Sequence, residues 1–374
     1  MVRRFVHGKL GLVKQRMAVQ VVVSLAVGGV FLLLAFWNVS LSRLAEVLGN
    51  FHWPWLLAAV GVSVVLMLLR AWRWQLELEP LEHVPFGRLW SVTAVAYSAI
   101  NLIPARLGEV VRPWLVAQFS SVRMSQAIGS VVVEKLMDSF CIVTYILAAL
   151  LYTPELPTWA RNGAVFPAVF TAFFALVVVL AYNRGEHWVQ RYFSGWLPER
   201  AGQAVARALR AVLQGMQVLP NGALLGRVFV VSLVLWFLPI VSSWIVMKGF
   251  GFPVPFSAAL VVFLFIGMAT ALPNPPAMVG PFQYACILAL GIYGVGREEA
   301  LAFGLLLNAL QVLTIVGQGV VGAVFLGLSW SDVRAAGEVV RAGEASTGTV
   351  GETQAGATAN PGNAKGRNGV QRNR

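Results

Sequence analysis

Long uncharged apolar runs dictate what this chain can become. They occupy residues 17–37, 53–69, 163–182, 228–247 and 300–330. Each is long enough to cross the hydrocarbon core of a bilayer as a helix, which takes about 17–25 residues. A sixth run, 124–151, is equally long but carries Glu134, Lys135 and Asp138. Only 12% of the 374 residues are charged, about half the usage of a soluble domain, and the mean hydropathy is +0.73. A water-soluble enzyme, a secreted disulfide scaffold and a disordered protein are thereby excluded. The two cysteines, Cys141 and Cys286, both lie within apolar runs and form no C-x-x-C pair. The first run is too long for the core of a signal peptide, and no small-residue cleavage site follows it, so it reads as a retained helix.

Two shorter apolar stretches behave differently. Residues 89–103 run into Pro104, and residues 256–272 run into Pro273-Asn274-Pro275-Pro276 with a second short run, 281–293, behind. Proline stops helices, and short runs ending in proline suit re-entrant or broken helices better than full spans.

Orientation follows from counting Lys and Arg. Segment 1–16 holds five, 183–227 six, 329–374 six, and 70–88 and 104–125 three each. Segments 38–52, 152–162, 248–255 and 294–299 hold one apiece. Placing the rich segments in the cytoplasm puts 23 of the 28 basic residues inside, a strong positive-inside signal. The net charge of +12 then reports orientation and contact with anionic lipid, and no nucleic acid is needed to account for it. Because 70–88 and 104–125 share a side, the stretch between them must enter and leave by one face. Residues 256–293 must do the same from the opposite face. Both tips read Pro-Ala-x-[Leu/Val]-Gly, at 104–108 and 276–280. The chain thus parses twice as helix, helix, hairpin, helix, in opposite orientations. Inverted repeats with broken helices are a signature of secondary transporters.

The expected architecture is an all-α integral membrane protein. It is a polytopic helical bundle of about six full spans plus two re-entrant helical hairpins in an inverted repeat. Its parts are a cytoplasmic segment 1–16, a first membrane repeat 17–151 with its hairpin at about 89–120, and a second repeat 163–328 with its hairpin at about 256–293. The second repeat includes a cytoplasmic linker, 183–227, and a disordered cytoplasmic tail follows at 331–374. Within the linker, Val205, Leu209, Val212, Met216 and Leu219 share one helical face while Arg200, Arg207 and Arg210 cluster on another. That pattern predicts a helix lying on the anionic leaflet.

Charged residues at the centre of a span are costly and therefore functional candidates. Glu134 lies about 15 Å into its run at 1.5 Å per residue. Asp138 follows one turn later and Lys135 is adjacent, so the three read either as a self-neutralising structural cluster or as a proton or headgroup site. The first hairpin carries Asn101, Arg106, Glu109 and Arg112. Glu109 and Arg112, three apart, can pair within a helix. Arg106, directly after the proline break, suits an anion such as phosphate. Arg70 and Arg73 close the second span in Arg-Ala-Trp-Arg-Trp. They read equally as interfacial anchors or as headgroup ligands, and Trp72 and Trp74 as an aromatic belt. The second hairpin is neutral, with Asn274, Pro276, Gly280 and Gln283. The final span adds Asn308, Gln311 and Gln318, of which the two glutamines, seven apart on one face, suit interhelical hydrogen bonds. All four histidines lie in loops or interfacial segments, the first outer segment holds only Arg43 and Glu46, and no P-loop is present. These features argue against an intramembrane protease, a lipid phosphatase, a lipid-linked-sugar transferase and an ATPase. Nothing calls for a cofactor or a metal ion.

Three stretches carry a resemblance: Arg70-Ala-Trp-Arg73-Trp, Asn101-Leu-Ile-Pro104-Ala-Arg106-Leu-Gly108-Glu109-Val-Val-Arg112, and Glu134-Lys135-Leu-Met-Asp138. With the Pro273–Gly280 turn, they make the chain similar to the lysylphosphatidylglycerol synthetase transmembrane-region, or flippase-like, membrane proteins. The resemblance covers most of residues 17–328. It implies a multi-pass protein that moves a lipid between leaflets. In the best-understood relatives the fold is fused to an aminoacyl-transfer domain, which this sequence lacks, so lysyl transfer is not implied. Stand-alone relatives are linked to hopanoid, isoprenoid-phosphate or glycolipid pathways. This chain departs from the family by carrying Gln283 where an acid is frequent and Asn308 where an arginine is frequent, which leaves the second half neutral.

The function expected is an ATP-independent flippase for an anionic or phosphate-bearing lipid: a phospholipid, an isoprenoid-phosphate or a glycolipid. Arg106 and Arg112 would contact the headgroup, Arg70 and Arg73 would recruit it, and Glu134 with Asp138 would couple to protons or fix the arginines. The alternative is a non-transporting scaffold for lipid or envelope biosynthetic enzymes; an embedded enzyme is disfavoured. Expected partners are anionic membrane lipids, with a homo-oligomer left open. The expected location is the cell (inner) membrane with both termini cytoplasmic.

Overall fold

The computed structural model describes residues 19, 22–102, 108–153, 157–163, 165–188, 208, 210–270 and 275–328. Helices account for nearly all of them, and none of the described residues is in a strand. The first half holds α1 (Val22–Phe36), α2 (Leu41–Gly49), α3 (Pro54–Leu78), α4 (Phe86–Leu102), α5 (Gly108–Phe119) and α6 (Met124–Tyr152). Then follow α7 (Thr158–Gly163), α8 (Val165–Trp188), α9 (Gly222–Gly249), α10 (Ser257–Ala269), α11 (Pro281–Gly291) and α12 (Arg297–Phe325).

Among the described residues, four helical segments are long and apolar enough to cross a membrane: α3, Arg161–Asn183 within α7 and α8, α9 and α12. The count is five if α1 and α2, which meet at 86°, form one bent span. The 29-residue α6 is as long but carries ionisable side chains in its middle. The corner between α1 and α2 turns on Asn38 at φ 56°, a residue type that tolerates left-handed backbone. Ser40 then caps α2 by accepting from the Arg43 N–H. Segment 38–52 is therefore a short helix and not a simple outer loop. Pro54 opens α3 at a position where its missing N–H costs nothing. The helix continues to Leu78, well past the apolar run that ended at residue 69.

Helices α3 and α9 pack along each other at the centre. The two short apolar stretches each pair with a following helix, α4 with α5 and α10 with α11. The first of these hairpins leans on α12 and the second on α6 as well as α12. Contact between α4 and α12 is close because small residues meet there. A Cβ added at Gly322 would lie 2.8 Å from the Ser91 carbonyl oxygen, and Ser98 Oγ donates to the Ile315 carbonyl at 2.9 Å. Small-residue contacts and cross-helix hydrogen bonds hold helices together where the hydrophobic effect offers little.

The tip of the second hairpin is a 3₁₀ turn, Pro276–Met278, with Ala277 and Met278 in left-handed backbone at φ 56° and 54°. Gly280 follows at φ 102° and approaches α1 so closely that a Cβ would sit 2.3 Å from the Gly28 carbonyl oxygen. The first tip, including Arg106, lies outside the described residues, as do Asn274 and the tail from residue 329. So does most of the expected amphipathic linker. Its described end, 210–219, docks on the protein: Met216 and Val218 are buried against α6, α8 and α9. Gly215 approaches α6, where a Cβ would lie 1.9 Å from the Gln126 carbonyl oxygen. In this portion the apolar face covers other helices and not the lipid surface. Leu57, Phe166, Phe173 and Val324 are exposed on the outside of the bundle, as a wall facing hydrocarbon requires.

Candidate functional site

The last two turns of α3 place Arg70, Arg73, Trp74 and Glu77 on one face, following the three- and four-residue spacing of helical neighbours. Arg112 of α5, Glu134 and Asp138 of α6, Ser232 and Trp236 of α9 and Tyr97 of α4 converge on that face. Five helices thus build one buried ionic centre. Arg73 is 2% exposed, Glu77 0%, Arg112 4%, Glu134 1% and Asp138 7%.

Glu134 is the hub. Its carboxylate accepts from Arg112 at 2.5 Å and faces Arg73 at 3.0 Å. Asp138 accepts from Arg73 at 2.5 Å and from the Trp236 indole N–H at 2.7 Å. Arg73 also donates to Ser232 Oγ at 3.1 Å. Trp74 donates to Ser130 Oγ at 3.1 Å and presents its ring to the Arg112 guanidinium, 3.9 Å away. The Tyr97 ring has the Arg70 guanidinium 4.1 Å from its centre and that of Arg112 at 5.9 Å. Aromatic faces attract cations.

Several expectations change here. Arg73 is not an interfacial anchor or an exposed recruiting group, since three carboxylates enclose it. Trp74 is fully buried and hydrogen-bonded, so only the exposed Trp72 suits an aromatic belt. Glu134 and Asp138 are neutralised by Arg73 and Arg112. Lys135 is exposed. The partner of Arg112 is Glu134, 22 residues on; the Glu109 side chain lies outside the described part. Asn101 is turned to its own helix, donating to the Tyr97 carbonyl at 2.9 Å.

The neutral residues of the second half serve the hairpin tip. Gln283 accepts from the Gly280 N–H at 2.7 Å, capping the start of α11. Asn308 donates to the Ala277 carbonyl at 2.9 Å. Gln318 donates to the Thr314 carbonyl of its own helix, and no interhelical bond of Gln311 is found among the described residues, so Asn308 and Ser98 make the interhelical bonds expected of those glutamines. Pro276 opens the 3₁₀ turn itself.

Sequence reasoning missed Glu77, Tyr97, Ser232 and Trp236. Glu77 fell in a segment, 70–88, taken as a cytoplasmic loop. Its spacing of four from Arg73 and seven from Arg70 was the available signal. Beside the centre, a cleft of about 840 Å³ runs between α3 and α9, lined by Trp72, Gln75, Leu76, Arg227, Val230 and Val231 among others. Among the described residues, no group of three or more His, Cys, Asp or Glu side chains is placed to hold a metal ion.

Long apolar helices, a lipid-facing wall and a buried ionic centre define a polytopic all-α integral membrane protein. Residues 21–319 match the family described as "Lysylphosphatidylglycerol synthase TM region", and the chain belongs to that family. Two proteins of Methanothermobacter thermautotrophicus, each described as a UPF0104 membrane protein, are similar to it. One is 23% identical over 300 residues, covering 74% of this chain and 87% of the relative. The other is 20% identical over 268 residues, covering 68% and 78%.

Proposed function

We propose that the protein is an ATP-independent translocase that moves an anionic, phosphate-bearing lipid between leaflets and performs no covalent chemistry. The observation that carries this reading is the state of Arg112. Its guanidinium is buried, held at one end by Glu134 and backed by Trp74, while Nε and the second Nη have no hydrogen-bond partner among the described residues. Buried donors left unpaired are costly, and guanidinium forks match phosphate oxygens. The arrangement suits an anion that arrives and leaves. Arg106, at the neighbouring tip, would share the headgroup, and the cleft beside α3 and α9 offers polar and apolar walls to an amphiphile.

Two further features support the reading. The first hairpin packs on α12 and the second on α6 as well as α12, contacts across the halves that suit an inverted repeat. The charge distribution favours cytoplasmic termini and the cell membrane as location. Purified protein in liposomes containing labelled phosphatidylglycerol tests the proposal. Wild type should move the label across the bilayer without ATP. Arg112→Lys keeps the charge opposite Glu134 but loses the fork, and should slow transfer about tenfold or more, since a hydrogen bond to a charged group contributes about 1.5–3 kcal/mol. Wild-type rates in both Arg112→Lys and Arg106→Ala would overturn the assignment.

A further inference from the structure

The ionic centre contains one acid that makes no hydrogen bond among the described residues. Three carboxylates meet there, and two of them are fully served. Glu134 faces Arg112 and Arg73, and Asp138 faces Arg73 and the Trp236 N–H. Glu77 is 0% exposed, and neither of its carboxyl oxygens has a hydrogen-bond partner among the described residues. Its nearest cation, Arg73 Nε, lies 3.7 Å away without forming a hydrogen bond. The remaining Arg73 nitrogens are committed to Glu134, Asp138 and Ser232.

Arg73 and Arg112 pair directly with Glu134 and Asp138, whereas Glu77 makes no hydrogen bond to either guanidinium. The other charged and titratable groups nearby do not alter this. Arg70, one turn before Arg73, lies over the Tyr97 ring and forms no ion pair among the described residues. From α6, Lys135 is exposed, and Cys141 is buried beyond Asp138. Helix α9 contributes only Ser232 and Trp236 to the centre; its own charges are Arg227 and Lys248 near the two ends. Helix α12 carries charges only in its first turn, at Arg297, Glu298 and Glu299. An ionised carboxylate sealed from water without donors is strongly disfavoured, and adding a proton removes the charge.

We propose that Glu77 is a proton-binding site, occupied when the centre is in the arrangement seen here. On release, the carboxyl O–H bond breaks, the electron pair stays on Glu77, and the proton passes to water. Arg73 Nε then gains a carboxylate to pair with. The cleft lined by Gln75, Leu76, Glu79 and His83 brings the outside to the same end of α3. This proposal stands apart from the translocase reading, because it concerns the resting charge state and not lipid movement.

Infrared spectroscopy of the purified full chain at neutral pH tests it. Of 16 acidic residues, only a protonated one shows the carboxylic C=O stretch, which shifts when H2O is exchanged for D2O. The expected result is one such band in wild type that disappears in Glu77→Gln and persists in Asp138→Asn. Glu77→Asp, which retains an acid, should displace the band without removing it. No band in wild type, which needs no variant to observe, would overturn the proposal. So would a band that survives in Glu77→Gln. Neither readout depends on lipid transfer, so the two proposals fail separately.

Discussion

The two hairpins share a plan and differ in what they bury. Both follow the Pro-Ala-x-[Leu/Val]-Gly pattern, and counting four residues past each glycine lands on Arg112 in the first and Tyr284 in the second. Arg112 reaches across to Glu134, and two of its nitrogens have no hydrogen-bond partner among the described residues. Tyr284 packs its ring edge-on against Phe31 of α1, with centroids 5.5 Å apart. In the second hairpin Gln283 and Asn308 bond to the tip, and α10 and α11 sit in the largest apolar cluster. The first keeps unpaired donors in a place where they are expensive. One scaffold therefore serves as a fixed wall on one side and as a site with unmet bonding capacity on the other.

Breaking the charged side should have the largest effect. Glu134→Ala leaves two buried guanidiniums without their shared carboxylate. It should destabilise the protein by about 3–5 kcal/mol, seen as loss of folded material or a marked fall in the unfolding midpoint in detergent. Next comes the neutral tip. Gly280→Ala must hold φ 102° and place a Cβ against the Gly28 carbonyl, so α1 has to retreat. A loss of about 1–3 kcal/mol is expected from the backbone strain alone, with α1 becoming more accessible to protease. The smallest effect belongs to Gln283→Ala, which removes one capping bond and should cost about 1 kcal/mol without changing lipid transfer. A transfer defect in Gln283→Ala as large as that of Arg112→Lys would erase the distinction between the hairpins.

Much of this arrangement was legible before the structure. The apolar runs located α1, α3, α6, α8, α9 and α12, because a helix that faces lipid must be apolar along its length. The prolines at 104, 273, 275 and 276 located the breaks between α4 and α5 and between α10 and α11. Glu134, Asp138 and Arg112 stood out because charge is rare in such runs. Glu77 did not, since it sat among Glu79 and Glu82 and looked like part of a solvated loop. Where α3 ends depends on packing against α4 and α9, which an apolar run ending at residue 69 does not report. Trp74 was misassigned for a related reason: an interfacial tryptophan and a buried one differ only in what stands opposite, here Ser130 and Arg112.

The amino-acid order by itself determined that the chain is a membrane-embedded helical bundle, where its helices fall, and which half carries charge. Those properties are set by local cost: each residue meets hydrocarbon or water, and each proline breaks its own helix. Only the tertiary structure decided which charges meet. Arg73 joins Glu134 and Asp138 across more than sixty positions, and Ser232 from still farther along the chain. Pairings at such separation depend on how five helices pack, and burial then gives those few contacts their strength. The same packing left Glu77 and the free edge of Arg112 without hydrogen-bond partners among the described residues.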